Sequence, residues 1–123
     1  MNFSLKFKTK RKIKIMKDEN VEKIKEIIFK IAKEMSIEIE KIILFGSRAR
    51  GDFREDSDYD ILIVTKEKLT REKEIEFKVN IRISLARLRI PIDLIVYSSE
   101  EFIEKSKDVG YIAYYILEEG LKI

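Results

Sequence analysis

Histidine and cysteine are absent from the chain, and proline occurs once, at Pro91. Without cysteine there are no disulfides, no thiolate nucleophile and no sulfur ligand. Without histidine the Ser-His-Asp and Cys-His mechanisms fall away, as does any imidazole-held zinc. Acid–base or metal work is left to Asp, Glu, Lys, Arg and Tyr. Long apolar runs are missing too: no window approaches the roughly 18 residues of a membrane span. The start lacks the apolar core and small-residue cleavage site of a signal peptide. A cytoplasmic location with no membrane contact is the expectation.

What is present is a globular balance, 45% hydrophobic and 40% charged, unlike a disordered chain. The 123 residues favour one domain and leave no room for a second substrate-binding lobe. The net charge of +3 is largely local. Lys6, Lys8, Lys10, Arg11, Lys12, Lys14 and Lys17 crowd one segment that holds no acid. A protein that coats nucleic acid is therefore not indicated; this segment is the one place for an RNA or acidic-partner contact, and a solvated arm is its plainer reading. Phe3, Leu5, Phe7, Ile13 and Ile15 interleave with its lysines, which suits an edge strand or a flexible basic arm. The chain thus divides into a basic arm or edge strand, residues 1–17, and a domain, residues 18–123.

Asp18 to Asn20 offers N-caps for an amphipathic helix in which Val21, Ile24, Ile27, Ile28, Ile31 and Met35 recur at three and four. Residues 37–45 read as a strand whose end, Ile42 to Phe45, is buried on both faces. Gly46-Ser47 stops it, a short helix turn begins near Arg48, and residues 51–57 form a polar loop. Tyr59 to Val64 is a second strand. Thr70 caps a long helix to about Arg89, with Ile75, Phe77, Val79, Ile81, Ile83, Leu85 and Leu88 as inward candidates. Pro91 forbids its continuation. Ile92 to Tyr97 is a third strand. Ser98 to Glu101 starts another helix, and Asp108 is the expected cap of a last one ending at Gly120. Tyr111, Tyr114 and Tyr115 sit at helical spacing, as core or as a partner interface. The order predicts an α/β (α+β) domain with a small mixed sheet packed by helices.

The chemistry is concentrated in carboxylates. Asp58 and Asp60 stand two apart at a strand mouth, so both aim at one spot. Like charges that close repel, and each ion is costly to bury. A divalent cation resolves both, and hard oxygen ligands suit Mg²⁺ or Mn²⁺. Asp93 holds a similar place on the next predicted strand. If the two strands are neighbours, three acids converge, enough for two metals roughly 3.5–4 Å apart, as in in-line displacement at phosphorus. Gly46 lets the backbone bend and an anion approach. The N–H groups of that turn and the Ser47 hydroxyl form a phosphate cradle, with Arg48 and Arg50 adding positive charge. Each feature alone has a plainer reading: Asp58 and Asp60 as turn residues, Asp93 as a structural acid after a Pro turn, the arginines as surface charge.

Gly46-Ser47-x-Ala49-Arg50-Gly51 followed by Ser57-Asp58-x-Asp60 resembles the G-S-x-A-R-G…S-D-x-D signature of the DNA polymerase beta-type nucleotidyltransferase superfamily. The short length resembles its minimal nucleotidyltransferases, the MNT antitoxins of HEPN–MNT toxin–antitoxin pairs. The motif covers residues 46–60; with Asp93 the likeness extends over about residues 21–120. It implies a nucleotidyltransferase fold, with ATP as substrate and two Mg²⁺ ions. Gly46, Ser47 and Arg50 would bind the nucleotide. Asp58, Asp60 and Asp93 would be catalytic and hold the metals, with Asp93 helping to deprotonate the attacking hydroxyl. The implied reaction places AMP on a tyrosine of a partner HEPN toxin, in a type VII-like pair. Two rivals are a non-catalytic module that blocks a toxin by occlusion, and transfer to a small molecule.

Overall fold

The computed structural model describes residues 18–123; the basic arm or edge strand expected at 1–17 lies outside them. Helix α1 (Glu19–Glu34) starts where Asp18 accepts a hydrogen bond from the Asn20 amide at 2.9 Å. Its buried face is Val21, Ile24, Ile28, Ile31 and Ala32, the three-and-four spacing of an amphipathic helix. Strand β1 (Ile39–Phe45) follows, buried throughout its last four residues. Then come helix α2 (Gly46–Arg50) and strand β2 (Tyr59–Thr65). Helix α3 (Arg71–Arg87) is capped by Thr70, whose hydroxyl accepts from the Lys73 amide at 3.2 Å. Strand β3 (Ile92–Ser98) leads directly into helix α4 (Ser99–Ser106). There Ser98 and Glu101 form a reciprocal capping box at 3.1 and 3.3 Å. Helix α5 (Ile112–Glu119) and the two-residue strand β4 (Leu121–Lys122) close the chain.

The strands form one mixed sheet in the order β3-β2-β1-β4. Strand β2 runs antiparallel to β1 and parallel to β3, and β4 is antiparallel to β1. Side chains alternate between the two faces. Ile42, Leu44, Ile61, Ile63, Leu94 and Val96 pack under α1 and α3. Ile43, Phe45, Leu62 and Val64 pack under Phe102 of α4 and Ala113 and Ile116 of α5. The α/β fold with a small mixed sheet is thus the one expected. Strand β4 was not expected; its two residues give no periodicity to read.

Two expectations fail. Of the inward candidates on α3, only Phe77, Ile81 and Leu85 are buried, while Ile75, Val79, Ile83 and Leu88 are exposed. Residues 75 to 85 carry an apolar side chain at every second position, and such a series winds around a helix instead of staying on one face. The core takes the members spaced by four. Asp108 does not cap the last helix. Its carboxylate accepts from the Gly110 amide at 2.8 Å, an Asx turn, and Tyr111 occupies the N-cap without a side-chain bond. Tyr111 and Tyr115 are exposed, so they are not core.

Phe77→Ala should therefore cost about 3–5 kcal/mol, whereas Val109→Ala, at an exposed site, should stay within about 0.5 kcal/mol. Urea unfolding of the two variants measures both.

Candidate active site

The parallel register sets Asp60 opposite Asp93 across β2 and β3, and the antiparallel register sets Asp60 opposite Phe45 across β2 and β1. Two carboxylates and the end of β1 therefore meet at one edge of the sheet. Alternation places Asp60 on the face of Leu62 and Val64, and Asp93 on the face of Ile95 and Tyr97, the α4–α5 side. Asp58 shares this parity but stands just outside β2, exposed to solvent. Asp60 is half-buried and Asp93 is exposed. Burial pushes the Asp60 carboxyl above the usual carboxylate range, and the nearby charges of Asp93 and Asp58 push it further, against a smaller opposite pull from Arg50.

Gly46 is the residue that β1 delivers to Asp60. Its φ is +71°, in the left-handed region. A Cβ built there would overlap the Asp60 carboxylate. Conformation and space both exclude a side chain. Among the described residues no side chain caps the first turn of α2, and Ser47 is half-buried with no side-chain hydrogen bond to another described residue. Arg50 is exposed and pairs with Asp52 at 3.3 Å and Glu119 at 3.4 Å. Exposed pairs of this kind are weak, so the guanidinium is available to an arriving anion.

Among the described residues, no three acidic side chains are gathered closely enough to enclose a metal ion as they stand. The donor set nonetheless fits a hard divalent cation. All three acids offer carboxylate oxygens on one face, two are exposed, and the third carries charge that burial and its neighbours disfavour.

Arg48 is a residue whose role the sequence reading missed. Grouped there with Arg50 as a surface or phosphate charge, it instead clamps the loop that ends at Asp58. Its guanidinium lies 4.3 Å from the ring centroids of both Phe53 and Tyr59. Its Nε and Nη2 donate to the Ser57 carbonyl at 3.2 and 3.0 Å, and Nη2 also donates to the Glu55 carbonyl at 2.9 Å. The Tyr59 hydroxyl donates to Asp18 at 2.8 Å and accepts from Asn20 at 3.3 Å. A continuous set of contacts thus runs from α1 through Tyr59 and Arg48 to the acidic loop. The signal available in sequence was the pair of aromatics flanking a loop with an arginine upstream. Arg54, Glu55 and Asp56 are exposed loop, as expected.

A glycine pressed on a strand acid, a second acid in register and a third two residues earlier stand together at one end of the mixed sheet. The polymerase beta nucleotidyltransferase family model matches residues 22–115, and the chain belongs to that family. It is 38% identical over 96 residues to a protein of Methanocaldococcus jannaschii provisionally named a protein adenylyltransferase, covering 75% of this chain and 96% of that protein. The fold is shared with a crystal structure of a Sulfolobus solfataricus protein provisionally described as a nucleotidyltransferase, at 24% identity and a TM-score of 0.53, over 94% of this chain and 84% of the other. It is also shared with a toxin–antitoxin crystal structure containing AMP-PNP, at 20% identity and a TM-score of 0.52, over 79% of this chain and 69% of the other. No helix among the described residues is long and apolar enough to cross a membrane.

The raised Asp60 carboxyl has a definite sign in stability. The folded form holds its proton to a higher pH than the unfolded form. Stability is therefore lost as pH rises from the ordinary value of 3.8 through the raised one. Asp60→Asn should raise the Tm of the metal-free protein at neutral pH, and the gain should vanish below the ordinary carboxylate range. Thermal melts in chelator across pH test this. For the clamp, Arg48→Ala should accelerate amide hydrogen exchange at Arg54 and Ser57 while leaving α1 and α3 protected. Arg48→Lys should not restore protection, because a point charge lacks the planar fork.

Proposed function

We propose that this protein is a Mg²⁺-dependent protein adenylyltransferase. In this reading it moves AMP from ATP to a hydroxyl, probed first as tyrosine, on a partner HEPN toxin, and so acts as the antitoxin of a type VII-like pair. The observation that carries the reading is the register of Asp60 with Asp93, with Gly46 held against Asp60. The adenylyltransferase name of the M. jannaschii relative and the toxin–antitoxin structure of like fold support the partner class.

Asp58 and Asp60 would hold two Mg²⁺ ions and Asp93 would share one of them. Bound Mg²⁺ supplies positive charge that offsets the triphosphate and the charge developing at phosphorus. Gly46 leaves room for the β- and γ-phosphates, and the Ser47 hydroxyl and the uncapped N–H groups of α2 donate to them. Arg50 leaves Asp52 and Glu119 for phosphate oxygen. The acceptor oxygen attacks the α-phosphorus, its proton passes to Asp93, and the bond to pyrophosphate breaks. Arg48 holds the loop so that Asp58 stays beside Asp60.

Occlusion without chemistry is the second reading, favoured by one observation: α5 is apolar on several sides, with Tyr111, Ile112, Tyr115 and Leu117 exposed beside the Arg50–Glu119 pair. The intact mass of a HEPN-type partner after incubation with this protein and Mg²⁺-ATP separates the two. Transfer predicts a gain of one or more AMP units, lost in the Asp58→Asn/Asp60→Asn double variant. An unchanged mass, with a stable complex formed by both versions, would establish occlusion instead.

A further inference from the structure

The residue between Asp58 and Asp60 faces the other way. Alternation sends Tyr59 to the opposite side of the sheet, among the core residues beneath α1. It is only 2% exposed, yet it carries a hydroxyl. That hydroxyl donates to Asp18 at 2.8 Å and accepts from Asn20 at 3.3 Å, which ties the ring to the start of α1. Burial raises the Tyr59 phenol above its ordinary value, the Asn20 amide draws it back, and the Asp18 carboxylate adds to the rise. The phenol therefore keeps its proton and stays a donor. Asp18 divides its oxygens: Oδ1 accepts from the Asn20 amide as the helix cap, and Oδ2 accepts from Tyr59. Capping needs one oxygen and does not account for the second bond.

The tied ring is a wall for Arg48, whose guanidinium lies 4.3 Å from the centroids of both Phe53 and Tyr59. Phe53 belongs to the exposed loop that Arg48 holds, whereas Tyr59 is anchored outside it. Braced there, Nε and Nη2 of Arg48 donate to the Ser57 carbonyl at 3.2 and 3.0 Å. This carbonyl is part of the peptide plane that enters Asp58. The plane that leaves Asp58 is held by the Tyr59 amide, which donates to the Pro91 carbonyl at 3.0 Å. Asp58 is exposed and lies outside β2, yet both planes that flank it are fixed. Its charge and that of Asp60 repel, so a released Asp58 would turn away. A carboxylate already in place binds a cation without first being ordered.

We propose that Tyr59 and Asp18 are positioning residues for Asp58, and that the tie from α1 through Tyr59 and Arg48 sets how tightly the acids bind a divalent cation. This rests on the reading of Asp58 as a metal ligand. It adds that a helix cap on the far face of the sheet governs the strength of binding.

Titration of Mn²⁺ into the full chain without nucleotide, with free Mn²⁺ read by electron paramagnetic resonance, tests it. Arg48→Ala should weaken binding roughly tenfold, the scale found for groups that orient a metal ligand. Tyr59→Phe keeps the ring and loses the tie, and should weaken binding several-fold. Asp18→Asn should act in the same direction with α1 still capped, because Asn retains an oxygen for the Asn20 amide. In the Arg48→Ala background Tyr59→Phe should add nothing, since the two act in series. Ser98→Ala removes the cap of α4 at the other end of the sheet; it should lower the Tm and leave Mn²⁺ binding unchanged, which separates positioning from stability. Should Tyr59→Phe not fold, Asp18→Asn decides. If Asp58→Asn binds Mn²⁺ as the wild type does, Asp58 is no ligand and the proposal falls with that reading. If Asp58→Asn weakens binding while Tyr59→Phe and Asp18→Asn do not, or if the losses of Tyr59→Phe and Arg48→Ala add, the positioning role alone is overturned.

Discussion

The backbone of Gly46 lies against the Asp60 carboxylate, and the site follows from that approach. Three facts must hold together for it to exist. Strand β1 must end at Phe45, opposite Asp60 in the antiparallel register. Residue 46 must turn into the left-handed region at once. It must also lack a Cβ. When all three hold, the first turn of α2 starts directly against a strand acid, and in the proposed reaction a phosphate at one would be near a cation at the other. A Cβ at this position would force Asp60 aside and separate the two halves. Backbone geometry therefore decides where triphosphate and metal would meet in the proposed reaction, before any side chain of α2 takes part.

The price of that arrangement is electrostatic, and the scaffold absorbs it. Asp60 is half-buried beside two other acids, and burial is the larger reason its charge is disfavoured. Immediately after it, Ile61, Leu62, Ile63 and Val64 are fully buried, held between helices on both faces. A strand fixed along that length does not swing its first residue away to relieve repulsion. Asp93 is anchored in the same manner through Leu94 and Val96. The Arg48 clamp does for Asp58 what strand pairing does for the other two, since Asp58 lies outside β2 and has only the loop to place it. Local strain at a site, supported by a well-packed surround, is a common division between activity and stability.

How far this was readable from residues alone depended on the range of the interaction. The acids and the Gly46-Ser47 turn were legible because strand alternation and backbone bending are local rules, and each applies within a few positions. The register of Asp60 with Asp93 joins positions 33 residues apart; the sequence gives no distance, and only the assumption of neighbouring strands linked them. Arg48 was misread because its partners are two carbonyls and two rings brought together by the loop, and carbonyls carry no sequence signal. Helix α3 was misread for a different reason. Its second apolar row resembles core to any count of apolar residues, and only burial distinguishes a face that folding consumes from one it leaves over. Asp108 obeyed a short-range rule as well, but the Asx turn competed with the cap and won.

The sheet then separates two kinds of surface. One face ends in the acids and is bordered by α4 and α5, where Ile103, Tyr111, Ile112, Tyr115 and Leu117 are exposed. The other is covered by α1 and α3, whose outer ridge is also apolar. In the proposed reaction, an acceptor that reaches the acids would be held by surface that adjoins them. Among the described residues, the α4–α5 side adjoins them, through the contact of Glu119 with Arg50. The α3 helix packs on the other face of the sheet, away from Asp60 and Asp93.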